Sequence, residues 1–200
     1  LRLGHERGIE KQGNLLRSQI TDVALRVAPV RSHAVRRSIE TLLERESDFL
    51  NGPDSDNGKE KFVMSDIMPA VSWIVGEYSD LMRDALAIDT RDSDALEAVI
   101  DRANGPYHAI VQSLTKPSNT EKLPASAQKV YIQAAMKVFA AASRDAAVQD
   151  GELEACVNTL HNDLTIFAES LDVEVMERSV SSFELLRSLN LSPRGHEADG

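Results

Sequence analysis

Five histidines and a single cysteine are the side chains in this 200-residue sequence best suited to metal or nucleophilic chemistry. His5, His33, His108, His161 and His196 are scattered, and none forms a Cys/His pair at metal-ligand spacing. Asp54-Ser55-Asp56-Asn57-Gly58 has the composition of a calcium loop. With Asp54 as first ligand, however, the glycine arrives one position early and Ser65 falls where the bidentate acid belongs. The sequence contains no phosphate-cradling glycine loop and no Gly-x-Ser-x-Gly elbow, and no histidine stands in a nucleophile motif. Cys156 falls inside an amphipathic stretch, where a thiol packs as a small apolar group. The residues therefore imply no catalytic centre, no metal and no cofactor.

Charge is the next candidate for function. The formal net charge of −10 argues against a general nucleic-acid binder, which needs a basic surface to neutralise phosphates. The balance is uneven. Residues 1–40 hold eight Lys or Arg against four acids, so residues 41–200 carry −14. Arg26, Arg31, Arg36 and Arg37 lie close together in that basic segment, as a patch for anionic lipid or an acidic partner would require. A solvated helix face accounts for the same spacing. One cysteine permits no internal disulfide and suits a reducing compartment. No apolar run has the length of a membrane span, and the N-terminus lacks a signal-peptide core, so membrane association is expected to be peripheral. Leu1 in place of Met points to a fragment of something longer.

The elements that must position these residues read as helices throughout. Leu16, Ile20, Val23, Ala24 and Val27 fall on one helical face, and Pro29 ends that helix while opening the next, through Val35, Ile39, Leu42, Leu43 and Leu50. The turn formers of 51–59 predict a surface loop. Ile67, Val71, Ile74, Val75, Tyr78, Leu81 and Met82 then form an apolar arc too wide for one-sided cover, opened or kinked at Pro69, with Trp73 beside it. Shorter helices over 93–103 and 106–114 are separated by Asn104-Gly105-Pro106, and a polar linker covers 116–122. Pro124 opens an alanine-rich helix that Asp150-Gly151 is expected to end. The next helix buries Leu153, Val157, Leu160, Leu164, Phe167, Ala168 and Leu171. Asp172 should cap the last helix, with Val173, Met176, Val180 and Phe183 inward, and residues 192–200 should form a disordered tail. No stretch alternates as a strand would. Periodicity leaves a helical solenoid and a globular bundle equal.

Family resemblance separates them. Trp73-Ile74-Val75-Gly76-Glu77-Tyr78 resembles the Trp-Ile-x-Gly-Glu-Tyr/Phe signature in the trunk of adaptin large subunits. Asp22-Val23-Ala24-Leu25-Arg26-Val27, continuing to Leu42-Leu43, is similar to the delta-adaptin stretch before that motif. Val130-Tyr131-Ile132-Gln133, followed by Lys137-Val138-Phe139-Ala140, resembles the delta Val-Tyr-Val-Gln helix. Leu171-Asp172-Val173-Glu174-Val175-Met176-Glu177-Arg178-Ser179 resembles its Asp-x-Glu-Val-Gln-Glu-Arg-Ala motif, with Met176 replacing glutamine. The likeness spans residues 14–190 and departs from the family pattern at 51–59 and 84–94. Beta- and gamma-type large subunits share the tryptophan motif, while the first and third blocks favour delta.

The resemblance implies an all-α fold: a HEAT/armadillo-like right-handed α-solenoid of stacked antiparallel helix pairs, with residues 1–191 as a trunk fragment. It implies a non-catalytic structural subunit of a vesicle-coat adaptor complex that sorts cargo between Golgi, endosomes and lysosome-like organelles. Its partners would be the other large, medium and small subunits, and it would be cytoplasmic and peripheral on Golgi and endosomal membranes. The alternatives are a trunk fragment of another adaptin, of beta or gamma type, or a HEAT-type transport scaffold outside coats. The motif residues Trp73, Gly76, Glu77, Tyr78, Tyr131, Gln133, Glu174, Glu177 and Arg178 are expected to serve packing: Trp73 in a seam, Gly76 at a close helix crossing, Glu77 and Arg178 in ion pairs or caps.

Overall fold

The computed structural model describes residues 15–44, 67–88 and 93–191, and every regular element among them is helical. Helix α1 covers residues 15–26, and a 3-10 turn at Ala28–Val30, carrying Pro29, leads into α2 (Arg31–Leu43). Then come α3 (Met68–Glu77), a second 3-10 turn at Ser79–Leu81, α4 (Met82–Leu86) and α5 (Ser93–Arg102). The remaining helices are α6 (Pro106–Thr115), the single turn α7 (Asn119–Lys122), α8 (Ala125–Ala142), α9 (Asp150–Phe167) and α10 (Val173–Ser188). Leu50, the stretch 51–59 with its calcium-like composition, and the tail 192–200 lie outside the described residues.

Six of the helices sort into two rows. In one, α2, α6 and α9 lie side by side; in the other, α3, α8 and α10 do. Consecutive long helices bridge the rows as the pairs α2/α3, α6/α8 and α9/α10. Helices of one row run the same way. Ser113 of α6 donates to the Leu42 carbonyl late in α2, and Thr115 reaches Asp163 of α9 while the start of α6 meets Glu152. In the other row Glu77 pairs with Lys137, and Lys129 and Gln133 meet Glu174 and Arg178 in the same order. Across the rows, His161 of α9 packs on Phe183 of α10 and donates to the Leu191 carbonyl beyond its end. Both faces of the middle pair are therefore covered, and the core runs continuously through Ile39, Ile74, Ile110, Tyr131, Leu160 and Phe167.

Several sequence expectations shift. The arc from Ile67 to Met82 is not one helix: Ser79 Oγ turns back to the Gly76 carbonyl (3.0 Å), and the chain breaks at Tyr78. The alanine-rich helix ends at Ala142, well before Asp150-Gly151, which instead opens α9. Asp145 stops it by accepting from Ala147 N (3.1 Å) while engaging Arg83 and Tyr107. Asp172 is the N-cap of α10, accepting from the amides of Glu174 and Val175 at 3.1 Å each. The buried face of that helix is only partly the expected one: Phe183 is half-buried against His161, but Val175, Ser179 and Leu186 are the buried residues, while Val173, Met176 and Val180 are exposed. Ser179 has no exposure, so a small polar residue occupies the buried face while larger apolar ones stay outside. Leu16, Val23 and Val27 of α1, and Leu171 past the end of α9, are likewise exposed because no described element covers them.

Candidate interaction seams and the motif residues

The tryptophan motif is organised around a helix crossing. A Cβ on Gly76 would lie 2.7 Å from Ala134 Cα and 2.9 Å from Ala134 Cβ, so α3 and α8 touch backbone to backbone where neither carries more than a methyl group. One residue on, Glu77 crosses to Lys137, and Ser79 and Asp80 continue the seam to the Lys137 carbonyl and to Arg144 (2.7 Å). Trp73 and Tyr78 meet edge to face at 6.0 Å, and the Tyr78 hydroxyl donates to the Ala24 carbonyl at 3.1 Å. Trp73 is partly rather than fully buried, so its truncation costs less than the ~3–5 kcal/mol of a completely enclosed aromatic.

The second and third motif blocks meet in space. Arg178 donates to Gln133 Oε1 (2.9 Å) and Glu174 Oε1 (2.8 Å), and Lys129 Nζ reaches Glu174 Oε2 (2.7 Å). Hydrogen bonds from Lys129 and Arg178 hold the Glu174 carboxyl below its ordinary range. These contacts bolt the N-terminal half of α10 onto α8. Glu177, on the same helix, is exposed and engages no partner among the described residues. Tyr131 sits in the core with no exposure, its hydroxyl lacking a partner among the described residues, and burial pushes its pKa up.

The four arginines do not form one patch. Arg36 is buried, pairs with Glu40 at 2.8 Å, and reaches the carbonyl of Leu86, the last residue of α4, at 3.3 Å. It is an interior strut between α2 and α4, and Glu40, one turn on, shares its face of α2. Arg31 closes the end of α1, donating to the carbonyls of Ala24 (3.0 Å) and Leu25 (2.7 Å) with its guanidinium 5.0 Å from the Tyr78 ring centroid. Arg26 and Arg37 are exposed, yet each is ion-paired on its own helix, to Asp22 (2.6 Å) and Glu40 (2.7 Å).

Two further constellations were not legible in the sequence. Gly105 precedes α6 with φ at +128° and has no side chain to cap it, so Glu152 of α9 accepts from the amides of Tyr107 (2.7 Å) and His108 (3.3 Å) instead. A Cβ on Gly105 would stand 2.3 Å from Glu152 Cδ. Burial pushes the Glu152 pKa up against these hydrogen bonds. Asp145 gathers Arg83 and the Tyr107 hydroxyl (3.0 Å), and its carboxyl is held low by the Ala147 amide first and Arg83 second. The one available signal was a glycine where Ser, Asp or Asn usually caps, which means that the acceptor must come from elsewhere. His108 accepts from Asn104 N at Nδ1 (3.1 Å) and therefore donates from Nε2 to Thr159 Oγ1 (3.0 Å). Cys156 is fully buried, its thiol pushed up to about 12 by burial. Among the described residues, no three His, Cys, Asp or Glu side chains converge as metal ligands, and no helix is long and apolar enough to cross a membrane.

These groups tie helices together and have the geometry of struts and caps. No family model and no solved structure matches the chain. Curated proteins do, among them the AP-3 complex subunit delta of Dictyostelium discoideum, 28% identical over 198 residues, and the AP-3 complex subunit delta-1 of Bos taurus, 25% identical over 179 residues. The matches cover 87% and 88% of this chain but only 15% and 12% of those proteins. Along most of its length the chain is therefore similar to a short stretch of AP-3 delta subunits, the adaptin large-subunit resemblance that its motifs carry.

Proposed function

We propose that this chain is a stretch of a HEAT/armadillo-like, right-handed α-solenoid that serves as a non-catalytic scaffold in a heterotetrameric adaptor complex. The observation that carries the reading is the row order: three consecutive helix pairs stack so that like helices adjoin like and run the same way. In such an array each pair contacts only its neighbours, and the stack presents a long surface instead of enclosing a reaction centre. Similarity to AP-3 delta subunits supports the adaptor assignment. In this reading residues 1–191 form one segment of a trunk, and the motif residues hold the pairs in register. The complex carries the protein to the cytoplasmic face of Golgi and endosomal membranes, where it contributes to sorting cargo toward lysosome-like organelles.

The test is assembly. A trunk containing this stretch, co-expressed with the other large, medium and small subunits, is expected to co-elute with them as a single species. Exchange of this stretch for an unrelated helical-repeat segment of equal length should reduce that assembly. Equal assembly after the exchange removes the scaffold role, and exclusive co-elution with non-coat transport factors moves the chain to the other class.

A further inference from the structure

Between α8, α9 and the last turns of α10 lies an open groove of about 690 Å³. Among the described residues, the hydrogen bonds from α10 to α8 lie near the start of α10, at Glu174 and Arg178, and apolar surfaces beyond that clamp face each other across the groove. Phe139, Val157 and Leu186 form its buried floor and Met136 and Leu153 its walls. Leu185 and Leu189, one turn apart on the lip, are 51% and 58% exposed. A volume within the ~300–1,000 Å³ of ordinary ligand pockets admits the large side chains on one face of a short helix.

Charge decides the occupant. Asp150 and Glu154 line the groove and engage no partner among the described residues, whereas its lysine, Lys137, is committed to Glu77. The C-terminal turns of α8 and α10 also end at the groove, adding the negative ends of their helix dipoles. The N-terminus of α9 has the opposite sign but carries Asp150 and Glu152 in its own first turn. A second copy seated face to face would set these acids against their like. The following sequence, Ser192-Pro193-Arg194-Gly195-His196-Glu197-Ala198-Asp199-Gly200, has no large apolar side chain to insert.

We propose that this groove docks a basic amphipathic helix of a partner protein, with two large apolar residues one turn apart entering between Leu153 and Leu189 and flanking Lys or Arg meeting Asp150 and Glu154. This inference does not rest on the adaptor reading. The probe is a fluorescein-labelled Leu/Lys/Ala amphipathic peptide of about 18 residues, with a scrambled peptide of the same composition and a Leu/Glu/Ala counterpart as controls. Anisotropy titration with the 200-residue chain should show the amphipathic basic peptide bound about tenfold more tightly than either control. Leu189→Asp should weaken it by about tenfold, and Asp150→Lys with Glu154→Lys by several-fold, with helix content and melting temperature unchanged. Equal affinity for the scrambled peptide, or no loss in Leu189→Asp, overturns the proposal. So does a concentration-dependent dimer that Leu189→Asp abolishes, since the occupant would then be a second copy.

Discussion

Gly76 and Ala134 are in backbone contact: the space a Cβ on Gly76 would need is already filled by the Cα and Cβ of Ala134, at 2.7 and 2.9 Å. Gly76→Ala gains about 1 kcal/mol of helix propensity. Because the opposing atoms include main chain, it must push α3 from α8, and overpacking of this kind costs about 1–3 kcal/mol. The expected result is a net loss in urea-unfolding midpoint for Gly76→Ala and a larger one for Gly76→Val.

Tyr131 predicts the opposite sign. Its ring is fully buried, but its hydroxyl finds no partner among the described residues. Tyr131→Phe keeps the ring and removes the unsatisfied oxygen, so stability should stay level or rise by about 1 kcal/mol. A clear loss in chemical denaturation would show that the hydroxyl is satisfied in solution.

Arg36 and Arg37 are sequence neighbours with different expected costs. Arg36→Met leaves a buried Glu40 with one of its cations gone and the Leu86 carbonyl deprived of a donor, and should destabilise by about 3 kcal/mol. Arg37→Met, at an exposed position, should cost no more than about 1 kcal/mol. Equal shifts in melting temperature would contradict the interior placement of Arg36.

Glu152→Ala strips the acceptor from the first amides of α6 and should cost about 2 kcal/mol, since those buried donors have no side-chain cap of their own. Gly105→Ala adds strain at a positive φ and displaces the same carboxylate. The double variant should therefore be less damaging than the sum of the two, as a denaturation double-mutant cycle would record.

His108 makes stability depend on pH. Burial holds its pKa below the ordinary 6.5, so as pH falls through 6.5 the unfolded chain takes up a proton that the folded one refuses, and stability drops. Glu152, raised above its ordinary 4.5, acts oppositely: the folded state protonates first as pH falls toward 4.5, which adds stability. The wild-type curve mixes the two, so the expected signature is a difference. Relative to His108→Gln, the wild-type protein should lose stability below pH 6.5, with a slope of at most ~1.4 kcal/mol per pH unit.

Much of the local structure was legible because it is local. Pro69, Pro106 and Pro124 open helices, and Asp172 caps one, for reasons contained within a few residues of each. Gly76 was readable too, since a glycine inside an apolar helix signals a close neighbour, though not that the neighbour is Ala134. Sequence alone could not choose between the two faces of α10. Val173, Met176 and Val180 are the more apolar set, but Val175, Ser179 and Leu186 fit against α8 and α9, and packing geometry outweighs hydrophobicity when one face must approach closely. Nor could it remove Arg36 from the surface or bring Glu152 to the start of α6, because each depends on an element dozens of residues away. Periodicity, proline and capping residues determined that this chain is a series of helices; the order in which those helices stack, and so which side chains become struts and which apolar residues stay exposed, was decided by contacts between elements distant in sequence.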